Sequence, residues 1–220
     1  MTAIIILNWN NANDTIHCLS SLTKANGDFR VYVVDNGSTD DSLQRINEWV
    51  DSNRDIEVSV VPLEMNYGFA KGNNKGIAFA RQHNPDYFLL LNNDTEVKPD
   101  FLTMIFDFKQ RHPEYSVLTP KIYFFSDKKK IWNCGGRLAM GFRKYYYAGQ
   151  GDDAGGQRVR LHQQQNTQDQ FRKTDAQLAP IQFFHKNAPF ELEWKSSDMK
   201  NYLITIAAMT SPSASQTFKV

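Results

Sequence analysis

The residues best suited to chemistry stand at the end of an apolar stretch that runs from Asp86 to Val97. The stretch ends in Asn92-Asn-Asp-Thr95, where one carboxylate, that of Asp94, is accompanied by two amides and a hydroxyl. Oxygen donors of this kind suit a hard cation such as Mg²⁺ or Mn²⁺ that is shared with substrate phosphates. The alternative interpretation is an ordinary turn in which Asp94 acts as a cap or is solvated.

The apolar residues before this cluster do not alternate with polar ones, which is typical of a strand buried on both faces of a parallel sheet. Three earlier strands are predicted at 3–7, 29–34 and 56–62, and a fifth at 115–123, with helical patterns between them. This β-α-β-α-β-α-β-α-β order predicts a doubly wound parallel sheet. The polar cluster would then lie at the carboxyl end of a strand, where open α/β sheets bind ligands.

Polar loops also follow the first three strands. The loop after strand one is rich in asparagine, and the loop after strand two begins with Asp35. Asp35 can accept hydrogen bonds from a ribose hydroxyl or a base N–H, or it can cap the next helix. Three glycines lie within 66–76, and the helix predicted from about Asn73 would offer free N–H groups to a diphosphate.

Composition excludes several other classes of protein. The 220 residues carry 25 Lys and Arg against 24 Asp and Glu, so no charge excess favours nucleic acid as a partner. The two cysteines give neither a zinc ribbon nor a disulfide framework, and no signal peptide or membrane span is expected. Asn-x-Ser/Thr sequons at Asn13, Asn36 and Asn93 fall within the candidate site, where glycosylation would block it. These features favour a cytoplasmic location.

Four segments, taken together, carry a family resemblance. They are 5–10 (Ile-Ile-Leu-Asn-Trp-Asn), 33–40 (Val-Val-Asp-Asn-Gly-Ser-Thr-Asp), 66–77 (Asn-Tyr-Gly-Phe-Ala-Lys-Gly-Asn-Asn-Lys-Gly-Ile) and 90–95 (Leu-Leu-Asn-Asn-Asp-Thr). In this order the set closely resembles glycosyltransferase family 2, most strongly the bacterial branch with rhamnosyltransferase-like enzymes. The resemblance covers residues 3 to about 157.

The resemblance implies a GT-A fold, an α/β architecture with a mostly parallel, doubly wound sheet and helices on both faces. A nucleotide-sugar-binding half is expected at 1–124 and a smaller acceptor-side region at 125–220. Within the latter, 158–188 is Gln-rich and lacks the apolar strand usual in the family, so this segment is expected to be atypical or disordered. The chain also stops early relative to many relatives, which implies a truncated C-terminal end.

The resemblance also assigns roles by position. Asp94 would hold Mg²⁺ or Mn²⁺ as the one acid left of the family's Asp-x-Asp motif, which leads us to expect weak metal affinity. The implied donor-binding residues are Leu7, Asn8, Asn10, Asp35, Asn36, Gly68, Phe69, Gly72, Asn73, Asn92 and Asn93.

The catalytic base of the family lies in an acidic pair before an aromatic residue, near the start of a late helix. The best match is Glu191-Leu-Glu-Trp194, within a helix expected over 189–202. Glu191 matches the base and Glu193 is its companion. In the alternative interpretation both are exposed glutamates beside a buried leucine.

The implied function is metal-assisted, inverting transfer of a sugar from a dTDP- or UDP-linked donor to a glycan or lipid-linked acceptor. Such a bacterial enzyme would serve polysaccharide or cell-wall biosynthesis in the cytoplasm, free or at the inner face of the membrane. The alternative is an inactive or vestigial module that binds a sugar nucleotide without transferring it. A nucleotidyltransferase or a nicotinamide-dependent oxidoreductase is disfavoured because their glycine-rich loops are missing.

Overall fold

The computed structural model describes residues 1–113, 115 and 117–132 in full. For Asn133 and for the strands at 136–139, 144–148, 161–163, 181–185, 192–195 and 203–206 it describes the backbone. The chain divides into two compact units, one formed by 1–118 with 181–209 and the other by 119–180 with 210–220.

In the described part of the larger unit there are four helices and a 3₁₀ turn at Arg81–His83. The helices are α1 (Ala12–Leu22), α2 (Ser42–Ser52), α3 (Phe69–Ala80) and α4 (Phe101–Arg111). Across both units the strands are β1 (Thr2–Asn8), β2 (Phe29–Asp35), β3 (Val58–Pro62), β4 (Tyr87–Asn92), β5 (Val117–Leu118), β6 (Ile122–Tyr123), β7 (Ile131–Asn133), β8 (Gly136–Ala139), β9 (Lys144–Ala148), β10 (Leu161–Gln163), β11 (Ile181–His185), β12 (Leu192–Lys195) and β13 (Leu203–Ile206).

Four parallel strands form the body of the main sheet, whose order is β3-β2-β1-β4-β11-β5. Strand β1 lies inside it, and the side chains from Ala3 to Ile6 are completely buried. Both faces of this strand are therefore covered, as its unbroken apolar sequence predicts. The prediction of a mostly parallel α/β fold is confirmed.

Helices cover both faces of the sheet. On one face, Ile4 and Leu89 share a buried cluster with Leu19 of α1, Ile46 of α2 and Leu102 of α4. Successive residues of a strand point to opposite faces, so Ile5 and its neighbours on the other face need a different cover. Helix α3 covers that face.

Gly76 lets α3 approach the sheet closely. A Cβ added there would lie 2.6 Å from Cγ2 of Val34 and 2.7 Å from Cγ2 of Ile5, so a larger residue would push the helix outward. On the same face, the buried ring of Tyr32 meets the ring of Phe79 edge to face, with centroids 6.0 Å apart.

Strand β11 corrects one prediction. It pairs antiparallel with β4 on one side and with β5 on the other. No strand was expected between 158 and 188, yet both β10 and β11 fall there. The aromatic and branched residues of Ile181-Gln-Phe-Phe-His185 favour a strand, and neighbouring strands decide where it pairs.

Two further predictions differ from the structure. The strand expected over 115–123 is broken into β5 and β6, and β6 pairs with β7 in the smaller unit. The helix expected over 189–202 is wrong at 192–195, where β12 pairs antiparallel with β13. The sequence Leu-Glu-Trp-Lys alternates apolar and charged residues, which is the period of a strand.

The smaller unit contains a three-stranded antiparallel sheet in the order β10-β9-β8, along with the β6–β7 pair. Among the residues that the structure describes, no helix has the length and apolar character needed to cross a bilayer.

Candidate functional site

The ends of the four parallel strands are in register. Asn8 at the end of β1 pairs with Asp35 at the end of β2, and Asp35 pairs with Pro62 at the end of β3. On the other side of β1, Leu7 pairs with Asn92 at the end of β4. The polar loops that follow these strands therefore start from one edge of the sheet.

Asn8 and Asp35 form a buried polar pair at this edge, where both side chains are almost completely excluded from solvent. Nδ2 of Asn8 donates to Oδ1 of Asp35 at 2.8 Å. Oγ of Ser38 also donates to Oδ1, at 2.5 Å, and the Ser38 N–H donates to Oδ2 at 3.0 Å. Three donors thus converge on the Asp35 carboxylate and hold it in one orientation.

Ser38 does not cap helix α2, because its hydroxyl and its N–H both donate to Asp35. The Ser38-x-x-Asp41 spacing resembles a capping box with Asp in place of Glu, but in the structure Ser38 binds Asp35 instead. Helix α2 starts at Ser42, whose N–H donates to Oδ1 of Asp40 at 3.0 Å. The described contacts of Asp35 thus connect it to Asn8 and the Ser38 loop, rather than to α2 as a cap.

Asn10 joins the loop after β1 to the loop after β2. It has a left-handed backbone, with φ of 51°, a conformation that asparagine tolerates. Its Oδ1 accepts the Thr39 N–H at 2.8 Å, and its own N–H donates to Oγ of Ser38 at 2.9 Å. The neighbouring Trp9, which follows Asn8 in the chain, is 47% exposed and leaves an indole surface open to solvent.

Asn36 holds the loop that leads into α3. Its Oδ1 accepts the Tyr67 N–H at 3.0 Å, and its Nδ2 donates to Oδ1 of Asn66 at 2.9 Å. That Asn66 oxygen also accepts the Gly68 N–H at 2.7 Å. The buried amide of Asn36 is therefore the anchor for the 66–68 turn.

Helix α3 begins at Phe69, with Gly68 as its N-cap, so the predicted start near Asn73 is wrong. Gly68 has φ of 76° and no atom within 4 Å of the position a Cβ would take. No side chain caps the first turn of α3. The N–H groups of this turn come before that of Gly72, which donates to the Gly68 carbonyl within the helix. These N–H groups provide a positive end of a helix dipole.

Gly72 and Asn73 position this helix. A Cβ at Gly72 would lie 2.7 Å from Cδ1 of Leu7 and 3.3 Å from Cγ of Asn36. Asn73 is buried, and its Nδ2 donates to the Phe69 carbonyl at 2.9 Å. The structure thus places Leu7, Gly72 and Asn73 where α3 packs on β1, while Gly68 and Phe69 lie at the open start of the helix.

The loop after β4 is held to α1 by hydrogen bonds that include the following. Nδ2 of Asn93 donates to Oγ1 of Thr15 at 3.1 Å, and the Cys18 thiol donates to the Asn92 carbonyl at 3.8 Å. The Thr95 N–H closes a turn onto the same Asn92 carbonyl. Burial and the charge of Asp94 raise the pKa of the Cys18 thiol to about 12, so Cys18 is a neutral donor here.

Asp94 is exposed by surface area, yet protein packed around its carboxyl group raises the pKa of Asp94 by desolvation. A hydrogen bond with its own backbone lowers that pKa in part, and the negative charge of Asp14 raises it further. A bound divalent cation would offset this unfavourable ionisation, and a carboxylate oxygen is a donor that suits Mg²⁺ or Mn²⁺. Among the described residues no group of three or more His, Cys, Asp or Glu side chains is found.

Sequence reasoning missed two residues of this site, Thr15 and Asp14. Asp14 belongs to the first turn of α1, where Nδ2 of Asn11 donates to it at 2.7 Å and the Asp14 N–H returns a bond of 3.5 Å to Asn11. The sequence predicts Asn13 or Asp14 as the N-cap of this helix, whereas Asn11 is the N-cap in the structure. The Asn11-x-x-Asp14 spacing of a helix cap was the available signal. Thr15 carries no such signal, because its polar partners Asn8 and Asn93 lie outside its helix.

The acidic pair proposed from the resemblance is placed only in part. Glu191 lies outside the described residues. Glu193 belongs to β12, opposite Thr205 of β13, and the backbone of β12 runs beside α3. The assignment of these glutamates as base and companion stays a prediction.

A twisted α/β sheet with polar loops gathered at the carboxyl ends of its parallel strands defines a class of ligand-binding proteins. The chain belongs to glycosyl transferase family 2, whose model matches residues 3–180. Comparison with curated protein sequences gives no match.

The solved structures that are similar to this chain include two glycosyltransferases. TarS of S. aureus (residues 1–349) is 25% identical, with a TM-score of 0.49, over 57% of this chain and 36% of that one. The mannosyltransferase PcManGT of Pyrobaculum calidifontis, in complex with GDP-Man and Mn²⁺, is 18% identical, with a TM-score of 0.50, over 58% of this chain and 36% of that one. The match thus spans little more than a third of either solved chain, and the likeness to PcManGT is one of fold.

Proposed function

We propose that this chain binds a nucleotide-diphosphate sugar at the carboxyl edge of β1 to β4 and transfers the sugar to a hydroxyl group of a glycan or lipid-linked acceptor. The observation that carries this proposal is the buried pair of Asn8 and Asp35, held at the strand ends of a family 2 sheet. Such a pair is costly to bury, and a fixed, partly satisfied carboxylate at a sheet edge is suited to recognising a ligand.

Asp35 is assigned to the base or ribose of the donor. Its carboxylate has four lone-pair positions and accepts three hydrogen bonds from Asn8 and Ser38, so one position is left for a ribose hydroxyl or a base N–H. The exposed indole of Trp9 provides a surface on which a base can stack. Asn10 and Asn36 support this end of the site by holding the 38–39 and 66–68 loops.

Asp94 and the start of α3 are assigned to the diphosphate. Asp94 would hold Mg²⁺ or Mn²⁺, with Asn92 and Asn93 beside it, and N–H groups after Gly68 would face the phosphates. A cation held there would supply positive charge to stabilise the diphosphate as a leaving group. The single carboxylate leads us to expect a metal that binds well only together with the donor.

Glu191 is proposed as the base that removes the proton of the acceptor hydroxyl in an inverting displacement, with Glu193 as its companion. Removing a general base costs a factor of about 10²–10⁴ in rate. Release of nucleoside diphosphate from the donor should therefore fall by that factor in Glu191→Gln, with donor affinity retained. Glu193→Gln is the matched control, and equal losses in both variants would remove Glu191 from this role.

The donor is proposed to be dTDP- or UDP-linked, with rhamnose as the sugar of the branch that the sequence resembles. A thermal-shift panel of dTDP-rhamnose, UDP-N-acetylglucosamine and GDP-mannose, each with Mn²⁺, tests the proposal. A donor present at about 100 times its Kd should raise Tm by roughly 5–10 °C. If no member of the panel raises Tm, the proposed function fails.

A module that binds a sugar nucleotide without transferring it is the second candidate. The observation in its favour is strand β12 at the position where the family places the start of a late helix and its acidic pair. Donor binding without any release of nucleoside diphosphate, in the wild type and in Glu191→Gln alike, would support this candidate.

We further propose that the chain acts in bacterial polysaccharide or cell-wall biosynthesis in the cytoplasm, at the inner face of the membrane where the acceptor is lipid-linked.

A further inference from the structure

We infer that Thr15 is a positioning residue that links the nucleoside end of the site at Asp35 to the metal end at Asp94. This inference rests on the proposed function. Thr15 lies in the first turns of α1, is completely buried, and contacts side chains from the end of β1 and from the loop directly after β4. It belongs to no motif that the resemblance or the family assignment points to.

The contacts form one continuous relay. Nδ2 of Asn93 donates to Oγ1 of Thr15 at 3.1 Å, and Oγ1 of Thr15 donates to Oδ1 of Asn8 at 2.7 Å. Nδ2 of Asn8 then donates to Oδ1 of Asp35 at 2.8 Å. Four side chains from three separate parts of the chain are thereby joined, and Asn93 is the immediate neighbour of Asp94.

The direction of every bond in the relay follows from Asp35. A carboxylate only accepts hydrogen bonds, so Asn8 must turn its NH₂ group towards Asp35 and its carbonyl towards Thr15. Thr15 has a single hydroxyl proton, which it gives to Asn8, so its oxygen is left to accept from Asn93. The orientation of the Asn93 amide is therefore set by a charge on the far side of β1.

Thr15 has one competing acceptor, the Asn11 carbonyl, at 3.1 Å from its oxygen. The bond to Asn8 is the shorter one at 2.7 Å, and it ends on an amide already polarised by the Asp35 carboxylate. A ligand that donates a hydrogen bond to Asp35 draws on the same carboxylate, so it alters the bond to Asn8 and, through Thr15, the bond from Asn93. Binding at the nucleoside end is thus coupled to the geometry beside Asp94.

The test measures this coupling with ligands that cannot bridge the two ends themselves. The Mn²⁺ affinity of the full chain is measured by isothermal titration alone and with saturating uridine, thymidine or guanosine, none of which carries a phosphate to ligate the metal. The nucleoside that binds should strengthen Mn²⁺ binding by about fivefold, the lower end of typical couplings. By linkage, Mn²⁺ must strengthen nucleoside binding by the same factor.

Three variants separate the relay from a general effect on folding. Thr15→Ser keeps the hydroxyl and should keep the fivefold coupling, whereas Thr15→Val keeps the shape and should reduce the factor to about one. Thr15→Ala is the second hydroxyl-free variant if valine does not fold, with folding checked by circular dichroism. The same expectation, a factor of about one, applies to it.

Two results would overturn the inference while leaving the proposed function in place. They are a wild type that binds Mn²⁺ with UDP, dTDP or GDP but shows no coupling to any nucleoside, and a hydroxyl-free variant that keeps the coupling. A wild type that binds none of these nucleoside diphosphates with Mn²⁺ overturns the proposed function and the inference together.

Discussion

The buried amide of Asn8 donates to the carboxylate of Asp35 across the paired ends of β1 and β2, at 2.8 Å. Each residue limits the other: the carboxylate fixes which way the amide faces, and the amide occupies one acceptor position of the carboxylate. The pair is therefore both a structural contact and the proposed recognition point for the nucleoside, and substitution should affect both properties.

Replacing Asp35 by asparagine should weaken nucleoside diphosphate binding at least about tenfold, because a charge-assisted acceptor is lost. It should also lower the free energy of unfolding by about 1–3 kcal/mol, since buried donors lose their partner. Titration calorimetry with UDP, dTDP and GDP and urea unfolding measure the two effects. Asp51→Asn, at an exposed aspartate of α2, is the control and should change neither. Unchanged nucleotide affinity in Asp35→Asn would remove Asp35 from the recognition site.

Replacing Asp94 by alanine should reduce the affinity for Mn²⁺ in the presence of nucleoside diphosphate by about tenfold or more, because a direct carboxylate ligand is lost. Calorimetry of Mn²⁺ into the protein with the diphosphate present measures the change. Asp100→Ala is the control, because Asp100 is the exposed N-cap of α4 and its side chain makes no capping hydrogen bond. Equal metal affinity in wild type and Asp94→Ala would exclude Asp94 as a ligand.

The raised pKa of Asp94 predicts a pH dependence of stability. The folded chain holds the Asp94 proton to a higher pH than the unfolded chain does, so stability falls as pH rises through that interval. Without metal, Asp94→Asn should melt at a higher temperature than wild type at pH 7. The two proteins should have the same Tm below about pH 3, where Asp94 of the wild type is protonated in both the folded and the unfolded state. Saturating Mn²⁺ and nucleoside diphosphate should reverse the order at pH 7, because only wild type gains from the metal. An asparagine variant that melts lower than wild type at pH 7 without metal would contradict this prediction.

Gly37 and Gly68 both have positive φ but differ in the space around them, which makes them a matched pair. A Cβ at Gly37 would lie 2.4 Å from the carbonyl carbon of Met65, whereas one at Gly68 meets nothing within 4 Å. Gly68→Ala should therefore cost only the backbone strain, about 1–2 kcal/mol. Gly37→Ala adds a backbone clash and should cost clearly more. Urea unfolding compares the two, and equal costs would show that the loop at 65–66 moves aside freely.

Much of the donor side was predictable because its signals are local. Unbroken apolar runs predict buried parallel strands, and the acids Asp35 and Asp94 come directly after such runs. The start of α3 was misplaced because Gly68 and Gly72 read as loop residues by propensity. In the structure Gly72 is needed for a different reason, the close approach of the helix to Leu7.

The other differences between the sequence predictions and the structure arise from contacts between residues that are distant in the sequence. Nothing near Thr15 indicates that it will meet both Asn8 and Asn93, since that contact exists only once α1 lies over the ends of β1 and β4. The same holds for β11, whose place between β4 and β5 is decided by the edges of strands far from it in the chain. The strand pattern of 192–195 was available, but the family resemblance favoured a helix there.

The position of β11 has a consequence for how the sheet assembles. Strands β1 to β4 can pair as soon as residues up to Asn92 are present, but among the strands that the structure describes β5 pairs only with β11, at residues 181–185. Until those residues are present, one edge of β4 presents unpaired backbone N–H and C=O groups, which are a template for pairing with other chains. Closing the loop between β5 and β11 is a non-local step, and such steps slow folding. A nascent or shortened chain that ends before Ile181 should therefore be the form most prone to self-association.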